Sequence, residues 1–494
     1  MFKKILIANR GEIAVRLLRA CQEMGIRSAA IYSDADRVAM HVLKADEAYR
    51  VGPTSAPDSY LNIERILDAA RTSGADAIHP GYGFLSENAE FARACERAGI
   101  KFIGPPASAI EVMGSKTRAR QQMEMAGVPF VPGTSRALES VEEARTTAAR
   151  LGYPVMLKAA AGGGGKGMRL VGSAGEMAPS FAAAQSEAER AFGSNEVYLE
   201  KAITNPQHIE IQVLADEHGN CVHLGERECS VQRRHQKVLE ESPSPFVNTD
   251  MRKRMGEIAV KAAKAVGYAN AGTIEFLADA DRKFYFLEMN TRLQVEHPVT
   301  ELVYGLDLAQ LQIRIAGGEK LPFSQEEIHP RGHAIECRVY AEDENYFPSP
   351  GQITVLSEPG GPGIRLDSGI CGGWNVPVAY DPLLAKLIGY GDTREQAIHR
   401  LRRAVDEYFI GGIKSNLPLF RRILSDPAFV AGETDTGYLE RLSQAVARGP
   451  GDDQEVAAIA AAVFASLGTH NNEGIPQTKP QSGWKRAART ESLQ

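Results

Sequence analysis

The sequence predicts an α/β fold at the N-terminus that continues into α+β regions. Two patterns indicate this fold class. Strands alternate with helices over residues 1–113, which is the order typical of a parallel sheet. Two later segments, 152–173 and 272–290, each hold two short strand patterns around a turn. With 494 residues, of which 43% are hydrophobic and 24% charged, the chain is long enough for about three domains with ordinary cores.

The first region, residues 1–113, has the pattern of a Rossmann-like unit. Strands are expected at 3–8, 27–33, 76–79 and 101–103, and helices at 11–24, 61–72 and 87–98. The turn after the first strand, NRGEIA, holds one glycine, whereas a dinucleotide fingerprint needs G-x-G-x-x-G so that backbone can approach a pyrophosphate. A nicotinamide site is therefore disfavoured, and we expect this region to support a site completed elsewhere.

A glycine-rich hairpin dominates the second region, a subdomain predicted over about residues 131–203. Ser140 and Glu143 form a capping-box pattern at the start of a helix that ends near Gly152. The strand patterns PVMLKA and MRLV flank the tip AGGGGKG, so the motif is strand–loop–strand and lacks the Walker spacing. Glycines let such a tip close over a nucleotide and donate backbone N–H groups to its phosphates. Lys158, on the incoming strand, is placed to meet the same phosphates.

A second hairpin, GTIEFLADADRKFYFLEMN, carries candidate metal ligands. We predict an even-length turn at 279–282, which pairs Glu275 with Phe286. Glu288 then lies diagonally from Glu275 on the same face, with Asn290 two residues further on. Carboxylate and amide oxygens suit Mg²⁺ or Mn²⁺, and protein-bound magnesium commonly bridges to substrate phosphates. This hairpin and the glycine-rich tip together predict a nucleoside triphosphate site.

The segment from Glu288 to Glu296 extends an alternating polar pattern beyond this hairpin. If the segment is extended, polar side chains at every second position share one face. Arg292 presents paired donors that suit a carboxylate-like anion, and Glu296 can serve as a general base. Beyond Asn290 two conformations stay open: a continued strand, or an exit from the strand in which Val295 contacts substrate through its backbone.

Charge and cysteine content disfavour several classes of protein. The formal net charge is −6, which argues against nucleic acid or an anionic membrane as the main partner. No run approaches the ~18 apolar residues that a membrane helix needs. The six cysteines include no CxxC pair and no zinc-type spacing. We therefore expect a cytoplasmic protein with reduced thiols.

Together these motifs resemble an ATP-grasp ligase and, within that superfamily, biotin carboxylase. The resemblance is carried by IANRGEIAVRLLRAC, IHPGYGFLSEN, IGP, MGSK, KAAAGGGGKGMR, ECSVQRRHQKVLEE, EMNTRLQVEHPVTE and GHAIECRVYAED, over residues 1 to about 446. It implies a Rossmann-like domain at 1–113, an ATP-grasp region with a mobile glycine-rich lid at 114–330, and a C-terminal biotin carboxylase domain at 331–446. Residues 447–494 fall outside it and are expected to be a partner-docking or disordered tail.

The resemblance implies ATP-dependent carboxylation of biotin by bicarbonate, through carboxyphosphate, with two Mg²⁺ or Mn²⁺ ions. The biotin is expected on a separate carrier protein, because the sequence has no A-M-K-M pattern. A carboxyltransferase subunit and a homodimer, with contacts at Arg19, Glu23 and Arg365, are also implied. The implied reaction is the first half-reaction of an acyl-CoA carboxylase, with acetyl-CoA as the first candidate acceptor. Pyruvate and propionyl-CoA stay open.

The resemblance also assigns roles to single residues. The implied ATP-binding residues are Lys116, Lys158, Gly164, Gly165, Glu200, Lys201, Ile203, His208, His235, Glu275 and Glu288. The implied metal ligands are Glu275, Glu288 and Asn290. The implied bicarbonate site holds Lys237, Arg292, Gln294 and Val295. The implied catalytic residues are Lys237, Arg292, Glu296 as general base, and Arg338 as the group that stabilises the biotin enolate. The implied biotin contacts are Tyr82 and Arg338.

Two other kinds of function stay open at this stage. Another ATP-grasp ligase, such as an amino-acid or carbamoyl-forming enzyme, would share the lid and the metal hairpin. Such an enzyme would not need RLQVE together with HPGYGFLSEN. A regulatory protein that binds ATP without turnover would usually lack Glu296 or a metal ligand, and all of these are present.

Overall fold

The computed structural model of the protein describes residues 1–134, 136–159 and 168–446. The strands are β1 (Lys4–Ile7), β2 (Arg27–Ser33), β3 (Glu47–Gly52), β4 (Ala77–His79), β5 (Lys101–Phe102), β6 (Val155–Ala159), β7 (Met168–Val171), β8 (Val197–Lys201), β9 (Gln207–Ala215), β10 (Cys221–Arg233), β11 (Gln236–Ser242), β12 (Asn270–Ala278), β13 (Phe284–Asn290), β14 (His333–Tyr340), β15 (Gly351–Gln352), β16 (Val355–Ser357), β17 (Ile364–Ser368), β18 (Asn375–Val376), β19 (Leu383–Gly391) and β20 (Phe409–Gly411). The helices are α1 (Gly11–Glu23), α2 (Met40–Lys44), α3 (Ile63–Ser73), α4 (Ala89–Arg97), α5 (Ala107–Gly114), α6 (Lys116–Met125), α7 (Val141–Leu151), α8 (Met177–Phe192), α9 (Thr249–Ala265), α10 (His297–Tyr304), α11 (Leu308–Ala316), α12 (Arg394–Glu407), α13 (Leu417–Ser425), α14 (Pro427–Ala431) and α15 (Tyr438–Val446). Residues Met1–Leu439 form one compact unit, and the last described residues, 440–446, belong to a second.

The N-terminal region forms the predicted parallel sheet, in the strand order β3-β2-β1-β4-β5. Its apolar strand β1 is buried, with Ile5, Leu6 and Ile7 fully enclosed by the flanking helices. The strands and helices predicted for this region are confirmed, with ends that differ by at most two residues. Strand β3 and helices α2 and α5 were not predicted. Strand β3, EAYRVG, is an edge strand whose first four residues are partly or fully exposed, so it lacks the apolar run of a central strand.

The glycine-rich hairpin lies in a small antiparallel sheet of order β7-β6-β8, covered by α7 and α8. Pairing of β6 with β7 confirms strands on both sides of the tip. Ser140 Oγ accepts from the N–H of Glu143 over 3.2 Å, and the helix ends at Leu151, as predicted. The capping box is only half formed, because the Glu143 carboxylate accepts instead from the N–H of Glu139 over 2.8 Å.

An antiparallel sheet of eight strands forms the centre of the molecule, in the order β13-β12-β9-β10-β11-β14-β19-β17. Helix α9 packs on β9 and β10 through buried apolar residues. The sheet contains the metal hairpin, β12 and β13, and also β14, β17 and β19 from the last third of the chain. It therefore runs across the predicted boundary between 330 and 331, and brings residues distant in sequence into one surface.

The register of the metal hairpin differs from the prediction. Glu275 pairs with Glu288 instead of Phe286. The connecting loop, 279–283, has five residues rather than an even number. A β-bulge also adds Leu287 to β13, because the register shifts between the pairs on either side of it. The two carboxylate residues therefore lie directly opposite each other, and the predicted diagonal arrangement is wrong.

Strand β13 ends at Asn290, so the exit from the strand is the conformation observed. Residues 291–296 form an irregular loop, and Glu296 takes the N-cap position of α10. Pro298 lies in the first turn of that helix, where its missing N–H costs nothing. A single extended face from Glu288 to Glu296 is therefore wrong. The loop, rather than strand alternation, decides where its side chains lie.

The sequence also predicted that the chain has no membrane-spanning helix and no disulfide-bonded cysteines. No helix within the described ranges is both long and apolar enough to cross a bilayer. All six cysteines are free, and four of them are buried. No disulfide bond therefore joins any two of the six, all of which lie within the described residues.

Candidate active site

A buried ammonium joins three carboxylates on the eight-stranded sheet. Lys237 on β11 contacts Glu210 on β9, Glu275 on β12 and Glu296 before α10. Its Nζ lies 2.9 Å from Oε1 of Glu275 and 2.9 Å from Oε1 of Glu296. The Lys237 side chain is 12% exposed and each carboxylate 5% or less. We call these four residues the carboxylate cluster.

Glu296 is held ionised between two cations. Arg338 on β14 donates from Nη2 to Oε2 of Glu296 over 2.9 Å, while Lys237 occupies Oε1. Burial alone raises the pKa of this carboxyl, but Lys237 and Arg338 outweigh burial and hold the pKa well below its ordinary value. Arg338 is itself aimed by Glu240, whose Oε1 accepts from Nε over 2.6 Å. A carboxylate and a guanidinium thus face each other at one end of the cluster.

Glu275 lies at the other end of the carboxylate cluster and contacts further candidate metal ligands. Its Oε2 accepts from Nε2 of His208 over 2.8 Å, and its Oε1 accepts from Nδ2 of Asn290 over 2.7 Å. Burial raises the pKa of Glu275, yet Lys237 and His208 lower it well below the ordinary value. Ligand atoms of His208, Glu210 and Glu275 all lie within 4.8 Å of one another. With Glu288 directly opposite, the donors are mainly carboxylate oxygens, which fit Mg²⁺ or Mn²⁺.

Arg292 is brought to the cluster by the loop after β13. Its Nη1 donates to Oε1 of Gln294 over 2.8 Å, and its Nη2 donates to Oδ1 of Asn290 over 3.2 Å. Its Nε donates to Glu87 of the N-terminal region over 2.9 Å. Gln294 in turn donates to Glu275 over 3.3 Å. These contacts place a guanidinium and an amide at the Glu275 end of the carboxylate cluster, and such paired donors suit a small oxyanion.

Val295 meets its neighbours through its main chain. Its carbonyl accepts from Nζ of Lys386 on β19 over 2.9 Å. Lys386 also lies 5.8 Å from the centre of the Tyr82 ring. The Val295 carbonyl is therefore engaged within the chain, and a backbone contact of this residue with substrate stays a prediction.

The lid contributes a second ion pair. Lys158 on β6 lies 2.6 Å from Oε2 of Glu200 on β8, and Arg120 approaches the same carboxylate at 3.4 Å. The Lys158 side chain is 19% exposed, so its ammonium remains accessible at the sheet surface. The next residue, Lys201, donates instead to the carbonyl of Gly152 over 2.8 Å. Lys158 and Glu200 are thus adjacent, while Lys201 is committed to the backbone of the lid.

The remaining sites named in the sequence are placed as follows. Ile203 lines a cavity of about 310 Å³ between residues 201–204 and the loop 279–281. Lys116 is the first residue of α6. Gly164 and Gly165 lie outside the described residues. His235 is exposed at the turn between β10 and β11, and within the described part of the chain it makes no recorded contact with the carboxylate cluster.

Sequence reasoning missed several members of the site. Glu210 is one of them, although its signal was present: in HIEIQV the polar residues His208, Glu210 and Gln212 alternate with apolar ones. All three polar residues are buried, so the polar face of β9 is turned into the molecule. Glu240 lies in the mostly polar strand β11, QKVLEES, and Lys386 lies in the apolar strand β19. Neither carries such an alternating signal, because their role depends on which strands become neighbours.

The chain matches known proteins over almost all of this fold. The model of the biotin carboxylase N-terminal domain matches residues 1–110, and that of the biotin carboxylase C-terminal domain matches 336–441. Between them, 115–324 matches the ATP binding domain of the carbamoyl-phosphate synthase L chain. A biotin carboxylase of Halalkalibacterium halodurans is 56% identical over 440 residues, which is 89% of this chain and 97% of that protein. The chain belongs to the biotin carboxylase family.

Two further members show how far the biotin carboxylase likeness extends. The mitochondrial methylcrotonoyl-CoA carboxylase subunit alpha of Dictyostelium discoideum is 46% identical over 486 residues, or 97% of this chain and 69% of the relative. That alignment reaches past residue 446, whereas the match to the C-terminal domain model ends at residue 441. The biotin carboxylase domain of Hydrogenobacter thermophilus 2-oxoglutarate carboxylase, a dimer in complex with MgADP, ADP and bicarbonate, is 51% identical with a TM-score of 0.83. The match covers 89% of this chain and 98% of that domain, and the predicted ATP-grasp fold class is confirmed.

Proposed function

We propose that this chain is a biotin carboxylase subunit, which uses ATP and bicarbonate to carboxylate biotin on a separate carrier protein. The observation that carries the proposal is the position of Lys237. Its single ammonium touches both Glu275, a candidate metal ligand, and Glu296, a candidate base, at 2.9 Å each. The phosphate end and the carbon end of the reaction therefore share one buried cluster. The relative with bound MgADP and bicarbonate supports the same assignment.

We assign the ATP side to the lid and the metal hairpin. The proposed ATP contacts are Lys116, Lys158, Gly164, Gly165, Glu200, Lys201, Ile203, His208, His235, Glu275 and Glu288. Bound Mg²⁺ or Mn²⁺ would neutralise triphosphate charge, and Glu275, Glu288 and Asn290 would hold it. Lys158 and Glu200 already form one pair on the lid sheet, so ATP would replace the carboxylate as partner of this ammonium.

We assign bicarbonate to the space beside Glu296. Arg292, Lys237, the Gln294 side chain and the Val295 N–H would hold the anion, and Glu296 would take its proton as a bicarbonate oxygen attacks the γ-phosphorus. The bond from that phosphorus to ADP breaks, which yields carboxyphosphate. Glu296 becomes a stronger base once Lys237 turns toward bicarbonate, because a lost cation raises a carboxyl pKa. Carboxyphosphate then breaks into CO₂ and phosphate beside biotin, and the basic phosphate would take the proton of the ureido nitrogen that attacks CO₂. Arg338 would stabilise the resulting enolate oxygen, and Tyr82 would contact the biotin ring.

We further propose the partners expected of such a subunit. These are a biotinyl carrier protein, a carboxyltransferase subunit and a second copy of this chain. Arg365 is engaged within the chain by Glu301 at 2.7 Å and by Asp367, and Glu23 accepts from Gln310 over 2.8 Å, so the exposed Arg19 is the best placed of the three candidates for the dimer contact. Acetyl-CoA, with a role in fatty acid synthesis, is the proposed acceptor, and pyruvate and propionyl-CoA are the alternatives. The proposed domain limits remain 1–113, 114–330 and 331–446.

ATP hydrolysis tests the proposed function directly. With bicarbonate present, we expect free biotin to stimulate ADP release by the purified chain. Another ATP-grasp ligase would hydrolyse ATP without responding to biotin, and a non-catalytic ATP-binding protein would not hydrolyse it. Hydrolysis that is indifferent to both bicarbonate and biotin would therefore eliminate the proposal.

Metal removal tests the hairpin assignment. Treatment with a chelator should reduce ATP hydrolysis to background, and added Mg²⁺ or Mn²⁺ should restore it. Glu275→Gln should raise the Mg²⁺ concentration for half-maximal activity by about tenfold or more, because it removes a charged oxygen donor. Glu344→Gln, which alters an exposed carboxylate paired with Lys414, is the matched control and should leave the Mg²⁺ requirement unchanged. An unchanged requirement in Glu275→Gln would show that Glu275 is not a metal ligand.

A further inference from the structure

Lys386 is a fully buried ammonium that none of the proposed steps uses. It lies on β19, in the motif YDPLLAKLI, and its side chain is 0% exposed. Its Nζ donates to the Val295 carbonyl over 2.9 Å. Two carboxylates also approach it, Glu12 of α1 at 3.3 Å and Asp367 of β17 at 3.9 Å. A buried charge is costly unless it is paired, so these contacts define the site in which this ammonium is tolerated.

The carbonyl that Lys386 holds belongs to an irregular segment. Val295 follows the end of β13 and precedes α10, so no strand ladder or helix fixes its peptide plane. The Val295 carbonyl and the Glu296 N–H belong to the same rigid peptide group. A hydrogen bond from a charged donor to that carbonyl therefore fixes both the peptide and the start of the Glu296 side chain. The position of Glu296, the proposed base, therefore depends partly on Lys386 of β19.

The acids around Lys386 hold it in place from two other elements. Asp367 is fixed by a paired contact with Arg365, at 3.0 and 2.8 Å. Glu12 comes from the N-terminal region, and burial raises its pKa to about 7, although Lys386 opposes the rise. Loss of the ammonium would thus leave Asp367 paired and Glu12 free to take a proton. Removal of Lys386 should consequently alter the loop more than it alters the fold.

We propose that Lys386 is a positioning residue of the bicarbonate site, which fixes the 295–296 peptide and so the start of the Glu296 side chain beside the anion. This inference rests on the proposed function. We expect loss of the Lys386 ammonium to impair the use of bicarbonate but not the binding of ATP. The lid ion pair of Lys158 and Glu200 lies on the three-stranded sheet, whereas Lys386 lies on the eight-stranded sheet. Lys386 belongs to the C-terminal region and is paired with Glu12 of α1. Residues from three parts of the chain therefore determine the position of the Val295 carbonyl.

Steady-state kinetics of Lys386→Met test this role. The variant keeps the length of the side chain and removes the charged donor. We expect the KM for bicarbonate to rise by about tenfold or more, as befits loss of a charged hydrogen bond. The KM for ATP should stay within about twofold, because no ATP contact is altered. Lys386→Arg, which keeps a charged donor, should recover a large part of the bicarbonate KM.

Two controls separate positioning from general damage. Lys414→Met makes the same chemical change at an exposed lysine paired with Glu344, and should leave both KM values unchanged. The double variant Lys386→Met with Glu12→Gln removes both buried charges, so it tests the loop even if the single variant does not fold. An unchanged bicarbonate KM in the folded variants, or an equal rise of both KM values, overturns the inference. Absence of biotin-stimulated hydrolysis in the unaltered chain would instead overturn the proposed function.

Discussion

Glu296→Gln is expected to lower biotin-stimulated ATP hydrolysis by at least about a hundredfold, the range over which loss of a general base acts. The amide keeps the size of the side chain and can still accept from Lys237 or Arg338, so the loop should keep its place. An amide cannot take the proton of bicarbonate. Steady-state ADP release with bicarbonate and biotin measures the loss.

ATP binding separates this result from a collapsed site. Calorimetry should find the dissociation constant of an ATP analogue within about twofold of that of the unaltered chain, because Glu296 is not among the candidate ATP contacts. Glu344→Gln makes the same change at an exposed position and should retain full activity. Retention of biotin stimulation in Glu296→Gln, or loss of ATP binding, would contradict the role given to Glu296.

Lys237→Met is expected to cost both activity and stability. The change leaves Glu210, Glu275 and Glu296 facing one another without their shared cation. Breaking a buried ion pair costs about 3–5 kcal/mol, so thermal unfolding should shift clearly downward. Activity should fall by about a hundredfold or more, since the same ammonium is proposed to hold bicarbonate. Thermal unfolding and ADP release are the two measurements.

The pH dependence of this destabilisation has a defined sign. In the unaltered chain the pKa values of Glu275 and Glu296 are lowered on folding, so their stabilising contribution is present above the ordinary carboxyl pKa and is lost as pH falls toward the folded values. In Lys237→Met the mutual repulsion raises these pKa values, and protonation relieves it. The difference in unfolding free energy should therefore be larger at neutral than at mildly acidic pH. A difference that grows on acidification would contradict the geometry of the cluster, and Lys414→Met provides the comparison.

Local patterns in the sequence were sufficient for much of the fold. Alternating strands and helices predicted the N-terminal parallel sheet, and the flanks of the glycine-rich tip predicted its hairpin. These predictions succeeded because each element buries a face that its own sequence defines. The register between Glu275 and Glu288 could not be predicted, since it depends on a loop length and on a bulge at Leu287. A bulge relieves local strain and leaves little trace in the order of apolar residues.

The candidate site was predictable only where a motif carries it. EMNTRLQVE named the residues from Glu288 to Glu296, yet their convergence comes from a turn out of the strand rather than from alternation. Lys237 and Arg338 meet Glu296 because β11 pairs with β14, a contact between distant segments. Glu240 enters the site through that pairing alone. Side chains whose function depends on the neighbouring strand have no local signal.

The pairing of β11 with β14 also has a consequence for the order of folding. Until β14 has been synthesised, β11 is an unprotected edge with open backbone donors and acceptors, and a template for misdirected association. Closing the long intervening loop raises the contact order and slows this step. The chemical machinery is therefore assembled last, after both the nucleotide lid and the N-terminal sheet have the means to form from local segments. A chain that ends before β14 thus lacks the Arg338 contact that holds Glu296.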